Sequence, residues 1–128
     1  MAYLLDSVAV LLWWTDAARL GRRTRAVIED AGEPLHLSAV SVWEIANKNR
    51  IGKLDAVRDF RGEFAGLVER DGFVLLDVTA AHALRAGYLP GAHRDPFDRL
   101  IAAQALVEGM TVLTNDPEIA AFGCKVLW

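Results

Sequence analysis

The sequence predicts an α/β fold in which a mainly parallel β-sheet carries helices on both faces. Short apolar runs alternate with longer segments of helical periodicity along the chain, which is the pattern of repeated strand–helix units. The 128 residues are 53% hydrophobic, which is enough to bury one sizeable core. No repeat or flexible linker divides the chain, so we predict one domain over residues 1–128.

The first half of the chain is predicted to hold two strands and three helices. A strand over 3–5 precedes an apolar helix over 8–14 and an amphipathic helix over 19–30, which Gly32 ends as a C-cap. A second strand covers 35–37. Ser38 is suited to cap a helix that runs to about Arg50, with Gly52 following it.

The second half continues the alternation. A helix over 57–70 has apolar residues at core spacing, and a strand follows over 73–77. Thr79 caps a short helix that reaches Ala86, and a loop covers 90–95. The helix over 96–108 starts with Pro96 and ends before Gly109, the usual asymmetry of helix ends. The last strands are predicted over 111–113 and 126–128.

Composition narrows the cellular setting. The single cysteine, Cys124, excludes an internal disulfide, and the segment from Met1 to Asp6 has no basic leader, so we predict a reducing cytoplasm. No uncharged stretch is long enough to span a bilayer.

The net charge of −3 argues against nucleic-acid binding, which usually leaves a basic footprint. Carboxylates gathered to hold cations would lower the total, however, and the basic residues are clustered. Solvated helix faces are the simplest explanation of any one cluster. The clusters are Arg19, Arg22, Arg23 and Arg25, then Lys48, Arg50 and Lys53, then Arg94 and Arg99.

Two carboxylates follow predicted strands. Asp6 comes directly after the first strand, and Asp116 follows the strand at 111–113. A single Asp in such a place is usually a helix N-cap. Two at equivalent strand ends favour a site, because ligands bind at the carboxyl ends of parallel strands. Ser7 and Thr114 add hydroxyl groups beside them.

A third carboxylate, Glu44, lies within an apolar helical segment and therefore needs a partner. A capping box from Ser41 to Glu44 is the alternative, although the apolar pattern begins before Ser41. Asp95 and Asp98 lie one helical turn apart at the start of the helix over 96–108. The helix dipole alone accounts for acids there, but the rest of that helix is apolar and its acidic tip is suited to a cation site.

Four convergent carboxylates suit phosphodiester cleavage, because Mg²⁺ prefers oxygen ligands and two metals about 4 Å apart activate water and neutralise the leaving oxygen. Other chemistries lack their residues. His36, His82 and His93 do not have zinc spacing, and neither a glycine-rich phosphate loop nor a Gly-x-Ser-x-Gly motif occurs.

The ordered set of motifs resembles the PIN-domain ribonucleases, and among them the VapC-like toxins of prokaryotic toxin–antitoxin pairs. The resemblance covers essentially the whole chain. The most specific parts are Trp-Glu-Ile-Ala over 43–46 and Asp-Pro-Phe-Asp-Arg-Leu-Ile-Ala over 95–102; Leu-Asp over 5–6 and Leu-Thr-Asn-Asp over 113–116 are weaker alone.

The resemblance implies a three-layer Rossmann-like fold and a Mg²⁺ or Mn²⁺ site. It implies that Asp6, Glu44, Asp98 and Asp116 are the first to fourth acids, with Asp95 as an alternative for the third. It also implies water-mediated RNA hydrolysis, a homodimer, and inhibition by an antitoxin peptide docked over the site.

The adjacent Trp13 and Trp14 either line a groove for that partner or belong to the core. Ser7 stands where many relatives carry Thr, which keeps the hydroxyl. The segment 46–48 is more polar than usual for the family.

Two other functions compete with this prediction. A Mg²⁺-dependent phosphatase of the haloacid dehalogenase type also places Asp after its first strand, but it needs a second Asp where this chain has Val8 and a lysine in its site. The other alternative is a non-catalytic PIN-like binding module. The complete set of acids argues against it.

Overall fold

Five parallel strands form the central sheet of the computed structural model, which describes residues 1–30, 32–54 and 57–128. The strand order is β3-β2-β1-β4-β5, so the first strand of the chain is the middle strand of the sheet. The bounds are β1 Tyr3–Leu5, β2 Leu35–Ser38, β3 Val74–Leu76, β4 Thr111–Leu113 and β5 Val126–Leu127. The predicted mainly parallel sheet is confirmed, since all four pairings are parallel.

Helices connect the strands. They are α1 Ser7–Thr15, α2 Arg22–Glu29, α3 Ala39–Arg50, α4 Phe60–Asp71, α5 Ala80–Tyr88, α6 Pro96–Glu108 and α7 Pro117–Ala120. Within the described residues, no helix is both long and apolar enough to cross a bilayer.

The sheet is covered on both faces, as predicted. Because successive residues of a strand point to opposite faces, Leu4 and Leu5 enter two different apolar cores. Leu4 packs with residues of α5, α6 and α7, and Leu5 packs with residues of α1, α2 and α4. Burial on both faces explains why the middle strands β1 and β4 are nearly continuous apolar runs, whereas Val74 and Leu75 of the edge strand β3 are exposed.

The predicted helix over 19–30 is wrong at both ends. A single 3₁₀ turn covers Ala17–Arg19, the chain is extended at Leu20, and α2 begins only at Arg22. The helix ends at Glu29 with Asp30 as its C-cap rather than Gly32. Gly32 instead donates its N–H to the Asp30 side chain at 3.0 Å.

Smaller corrections concern α4 and α5. The predicted start of α4 at Val57 is wrong, because Asp59 caps the helix by accepting a hydrogen bond from the Gly62 N–H at 3.1 Å. The Val57 carbonyl accepts a hydrogen bond from Asn49 instead of joining a helix. The strand predicted over 73–77 covers 74–76, and the helix that Thr79 caps extends two residues beyond Ala86.

The two adjacent tryptophans both pack against the core on the α1 face. Trp14 lies among Phe60 and Phe73, at ring-centroid distances of 6.0 and 6.1 Å, and donates its Nε1–H to Asp71 at 2.8 Å. The most exposed tryptophan is Trp43 on α3, which contacts Phe97.

Gly21, which precedes α2, has no room for a side chain. A Cβ atom there would lie 2.4 Å from the backbone carbon of Trp128 and 2.6 Å from its Cδ1. We therefore expect Gly21→Ala to displace Trp128 and lower the free energy of unfolding by about 1–3 kcal/mol, the usual cost of overpacking. Urea denaturation monitored by tryptophan fluorescence measures the loss.

Gly66→Ala is the matched control, because Gly66 lies inside α4 and a Cβ there meets nothing within 4 Å. Alanine favours a helix interior over glycine by about 1 kcal/mol, so this variant is expected to gain stability. Equal stability of the two variants would contradict the close approach of Gly21 to Trp128.

Candidate active site

The predicted site lies at the carboxyl edge of the sheet, where the middle strands end in register. Leu5 of β1 is level with Leu37 of β2 and Leu113 of β4. The next residue of each strand therefore lies at the same edge, and the Asp6 N–H donates to the Leu113 carbonyl at 3.3 Å. This register brings together chain segments that are more than a hundred residues apart.

Asp6 is the most buried of the predicted acids, with 5% of its surface exposed. It caps α1, and its Oδ1 accepts a hydrogen bond from the Ala9 N–H at 2.7 Å. Burial raises the pKa of Asp6 to about 6, against the smaller lowering effects of hydrogen bonds from Thr114 and Ala9. The negative charges of Asp116 and Asp98 raise it further.

Asp116 lies on the loop between β4 and α7, and it caps α7 by accepting the Glu118 N–H at 2.9 Å. Its own N–H donates to the Thr114 hydroxyl oxygen at 3.0 Å. Thr114 is buried and hydrogen-bonds Asp6 as well, so it links the first and fourth predicted acids. Thr114 therefore lies beside both of these acids, and its supporting role stays a prediction.

Glu44 enters the site from α3. Its Oε1 lies 2.9 Å from the hydroxyl oxygen of Ser7, which in turn lies 2.9 Å from the hydroxyl oxygen of Ser41. Burial is the largest cause of the raised pKa of Glu44, and the Ser7 hydrogen bond and Lys48 oppose it. The alternative of a capping box from Ser41 is excluded, because Ser38 caps this helix through the Val40 N–H.

The two acids of α6 have different surroundings. Asp95 is exposed, and its Oδ1 caps α6 by accepting the N–H groups of Phe97 at 2.9 Å and Asp98 at 3.4 Å. Asp98 is half-buried, and its raised pKa comes first from that burial and then from the charges of Asp95 and Asp116, against hydrogen bonding to His93. Of the two, Asp98 is the one that faces the other acids.

A pocket of about 140 Å³ collects these side chains. It contains all four acids that the sequence predicted for the site, whereas Asp95 is not among its walls. Its lining residues are Asp6, Ser7, Val8, Glu44, Asp98, Ile101, Asn115, Asp116 and Ile119. The structure thus brings the predicted acids to one place, and their roles stay a prediction.

A larger cavity of about 710 Å³ lies between α3 and α4, and its walls are aromatic, aliphatic, amide and arginine side chains with one acid, Asp59. Volume alone would select this cavity as the site. The chemistry selects the smaller pocket, because convergent polar groups and perturbed pKa values mark functional sites better than size does.

His93 is the site residue that sequence reasoning missed. Its Nε2 lies 2.8 Å from Oδ2 of Asp98, and its Nδ1 lies 3.5 Å from Oε2 of Glu118. Among the described residues, His93, Asp95 and Asp98 form the one group of three whose ligand atoms lie within 4.8 Å of one another. The sequence signal for His93 was its position five residues before Asp98. It was overlooked because the histidines were considered only as zinc ligands, for which their spacing is unsuitable.

The donors of the pocket fit a hard divalent cation. Four carboxylates, two nearby hydroxyls and the Asn115 side chain offer oxygen atoms, which Mg²⁺ and Mn²⁺ prefer. The carboxylate oxygens of the four acids lie farther apart than the ligands of a single ion. Within the described chain, no three of these acids place ligand atoms within 4.8 Å of one another. Their mutual repulsion, which contributes to the raised pKa values of Asp6 and Asp98, is what a cation between them would relieve.

The PIN domain family model matches residues 3–123. This chain is 33% identical over 116 residues to "Ribonuclease VapC22" of Mycobacterium tuberculosis, covering 88% of this chain and 85% of that protein. The chain therefore belongs to the PIN domain family. Within that family it is VapC-like.

Solved structures share the fold. A DNA-bound VapBC structure from Salmonella typhimurium aligns with a TM-score of 0.75 at 18% identity, covering 99% of this chain and 97% of that one. A toxin–antitoxin complex from Klebsiella pneumoniae aligns with a TM-score of 0.68 at 15% identity, with coverages of 99% and 97%. The predicted three-layer α/β PIN fold is thereby confirmed.

Proposed function

We propose that this chain, acting as a single PIN domain, is a Mg²⁺- or Mn²⁺-dependent endoribonuclease and the toxin of a toxin–antitoxin pair. The observation that carries the proposal is the pocket at the carboxyl edge of the sheet, where Asp6, Glu44, Asp98 and Asp116 converge. The relative named "Ribonuclease VapC22" supports the reaction type.

The protein's own contribution to the reaction is to hold oxygen atoms in fixed places. Asp6, Asp98 and Asp116 are the proposed cation ligands, and Glu44 of α3 completes the set. A bound divalent cation supplies charge neutralisation at the phosphate oxygens and lowers the pKa of water. The hydrogen bond from the Ala9 N–H to Oδ1 of Asp6 holds this carboxylate in one orientation.

Asp98 is the proposed third acid rather than Asp95. Asp98 lines the pocket, whereas one oxygen of Asp95 accepts hydrogen bonds from two backbone N–H groups of α6. Asp95 contributes through its charge, which raises the pKa of both Asp98 and Glu44.

The proposed partners are an RNA substrate and an antitoxin protein that docks over the pocket, in the cytoplasm. The VapBC and toxin–antitoxin complexes that share the fold support the antitoxin. A homodimer is also proposed, on the family resemblance. Of the basic residues, Arg99 is not available to RNA, because its guanidinium donates to the carbonyls of Ala86 and His93 at 3.0 and 2.9 Å.

A phosphatase of the haloacid dehalogenase type is disfavoured. The position that would carry its second Asp is Val8, whose side chain is part of the pocket wall. No lysine lines the pocket among the described residues.

The test is cleavage of RNA by the purified chain. We expect cleavage with Mg²⁺ or Mn²⁺, its loss in EDTA, and recovery when the metal is restored. Millimolar metal should also raise Tm, because a ligand that binds only the folded state stabilises it by mass action. Cleavage that persists in EDTA would refute the metal requirement. Metal binding without cleavage of any RNA would favour the non-catalytic module.

A further inference from the structure

The imidazole of His93 lies between the two acidic segments that close one side of the pocket. Its Nε2 is 2.8 Å from Oδ2 of Asp98 on α6, and its Nδ1 is 3.5 Å from Oε2 of Glu118 on α7. The ring also lies 6.0 Å from the ring of Phe122. Contacts on three sides leave the imidazole little freedom to rotate.

The direction of the hydrogen bond to Asp98 follows from chemistry. An ionised carboxylate only accepts hydrogen bonds, so Nε2 carries the hydrogen and donates it. Oδ2 of Asp98 is therefore held by His93, and only Oδ1 is left free of this bond. A carboxylate held at one oxygen offers a ligand in a defined direction.

The loop that carries His93 is fixed by Arg99. One guanidinium donates to three backbone carbonyls, those of Ala86, Leu89 and His93, which tie the end of α5 to the start of α6. The same guanidinium lies 5.3 Å from the centroid of the Phe122 ring. His93 is thus anchored through its backbone as well as its side chain.

We propose that His93 is a positioning residue, which holds Oδ2 of Asp98 so that Oδ1 is directed toward the cation. The inference rests on the proposed function, since it assigns Asp98 as a ligand. Groups that hold a ligating side chain commonly matter nearly as much as the ligand itself. His93 differs from Glu44 and the other acids in that it supplies no oxygen to the pocket.

The experiment measures Mn²⁺ binding by isothermal titration calorimetry, apart from any cleavage. His93→Ala is expected to weaken Mn²⁺ binding by about 10- to 100-fold, the range seen when such supporting groups are removed. His93→Gln is expected to recover part of the loss, because its amide donates a hydrogen bond from a similar position. In RNA cleavage, His93→Ala should raise the Mn²⁺ concentration for half-maximal rate more than it lowers the rate at saturation.

Two controls separate the possible failures. His36→Ala removes a histidine of β2 that is not part of the pocket wall, so it should bind Mn²⁺ like the wild type. Asp98→Asn removes the proposed ligand itself. Wild-type Mn²⁺ affinity in Asp98→Asn would contradict the proposed function at this residue.

Loss of binding in Asp98→Asn with unchanged binding in His93→Ala would overturn the positioning proposal alone. Equal weakening in His93→Ala and His93→Gln, with equal loss of Tm in EDTA, would also overturn it, because the histidine would then be merely structural.

Discussion

Asp6→Asn is expected to reduce RNA cleavage at least about 100-fold, since cation-based charge stabilisation is worth several kcal/mol in the transition state and 1.36 kcal/mol is tenfold in rate. The fold should survive, because an Asn side-chain oxygen also accepts the Ala9 N–H that Oδ1 of Asp6 now accepts. Cleavage of a labelled RNA under single-turnover conditions, with circular dichroism of the same sample, measures both. Asp116→Asn should behave in the same way, since Asn caps α7 equally well.

Asp16→Asn is the matched control, because Asp16 is an exposed acid at the opposite end of α1 and makes no side-chain capping hydrogen bond. It should cut RNA like the wild type. Full activity in Asp6→Asn would remove this residue from the site, and it would leave the pocket without its most buried acid.

Asp6→Asn should also stabilise the metal-free protein at neutral pH. Burial raises the pKa of Asp6 from 3.8 to about 6, so the folded state keeps this proton over a pH range in which the unfolded chain has lost it. The folded protein therefore loses stability as the pH rises from about 4 to 6, and the loss is complete above that range. The difference between the two pKa values corresponds to about 3 kcal/mol.

Urea denaturation in EDTA between pH 4 and pH 8 measures this effect. Asp6→Asn is neutral throughout, so it should be more stable than the wild type by up to about 3 kcal/mol at pH 8 and nearly equal to it at pH 4. Asp16→Asn, a change at an exposed position, is measured in parallel as the control. A wild type more stable than Asp6→Asn at pH 8 would mean that hydrogen bonds outweigh burial at Asp6. Loss of cleavage together with a gain of stability in Asp6→Asn would show that the buried carboxylate serves the site and lowers the free energy of unfolding.

Much of the fold was predictable from local patterns. The apolar runs at 3–5 and 111–113 are each followed by a polar residue, Asp6 or Thr114, and both are strands as predicted. The helix over 96–108 was predicted at its correct bounds, because Pro96 and Gly109 mark its ends. The meeting of Asp6 and Asp116 followed from one topological rule, that parallel strands end at one edge of the sheet, whereas Glu44 and Asp98 were predicted from the apolar helices that carry them.

The features that sequence reasoning missed depend on contacts between distant segments. α2 begins at Arg22, directly after Gly21, which lies against Trp128 more than a hundred residues away, and no local pattern reports that contact. His93 showed no metal-ligand spacing, and its closeness to Asp98 and Glu118 depends on how the loop over 89–95 folds back. In the sequence, Arg99 belongs to a basic cluster, but in the structure its guanidinium donates hydrogen bonds to backbone carbonyls.

The central position of β1 has a consequence during synthesis. β1 pairs with β4, which is made more than a hundred residues later, and Asp6 meets Asp116 only after that pairing. Such long-range pairing closes slowly, and an incomplete chain cannot form it. The proposed nuclease site is therefore expected to form only after β4 has been synthesised.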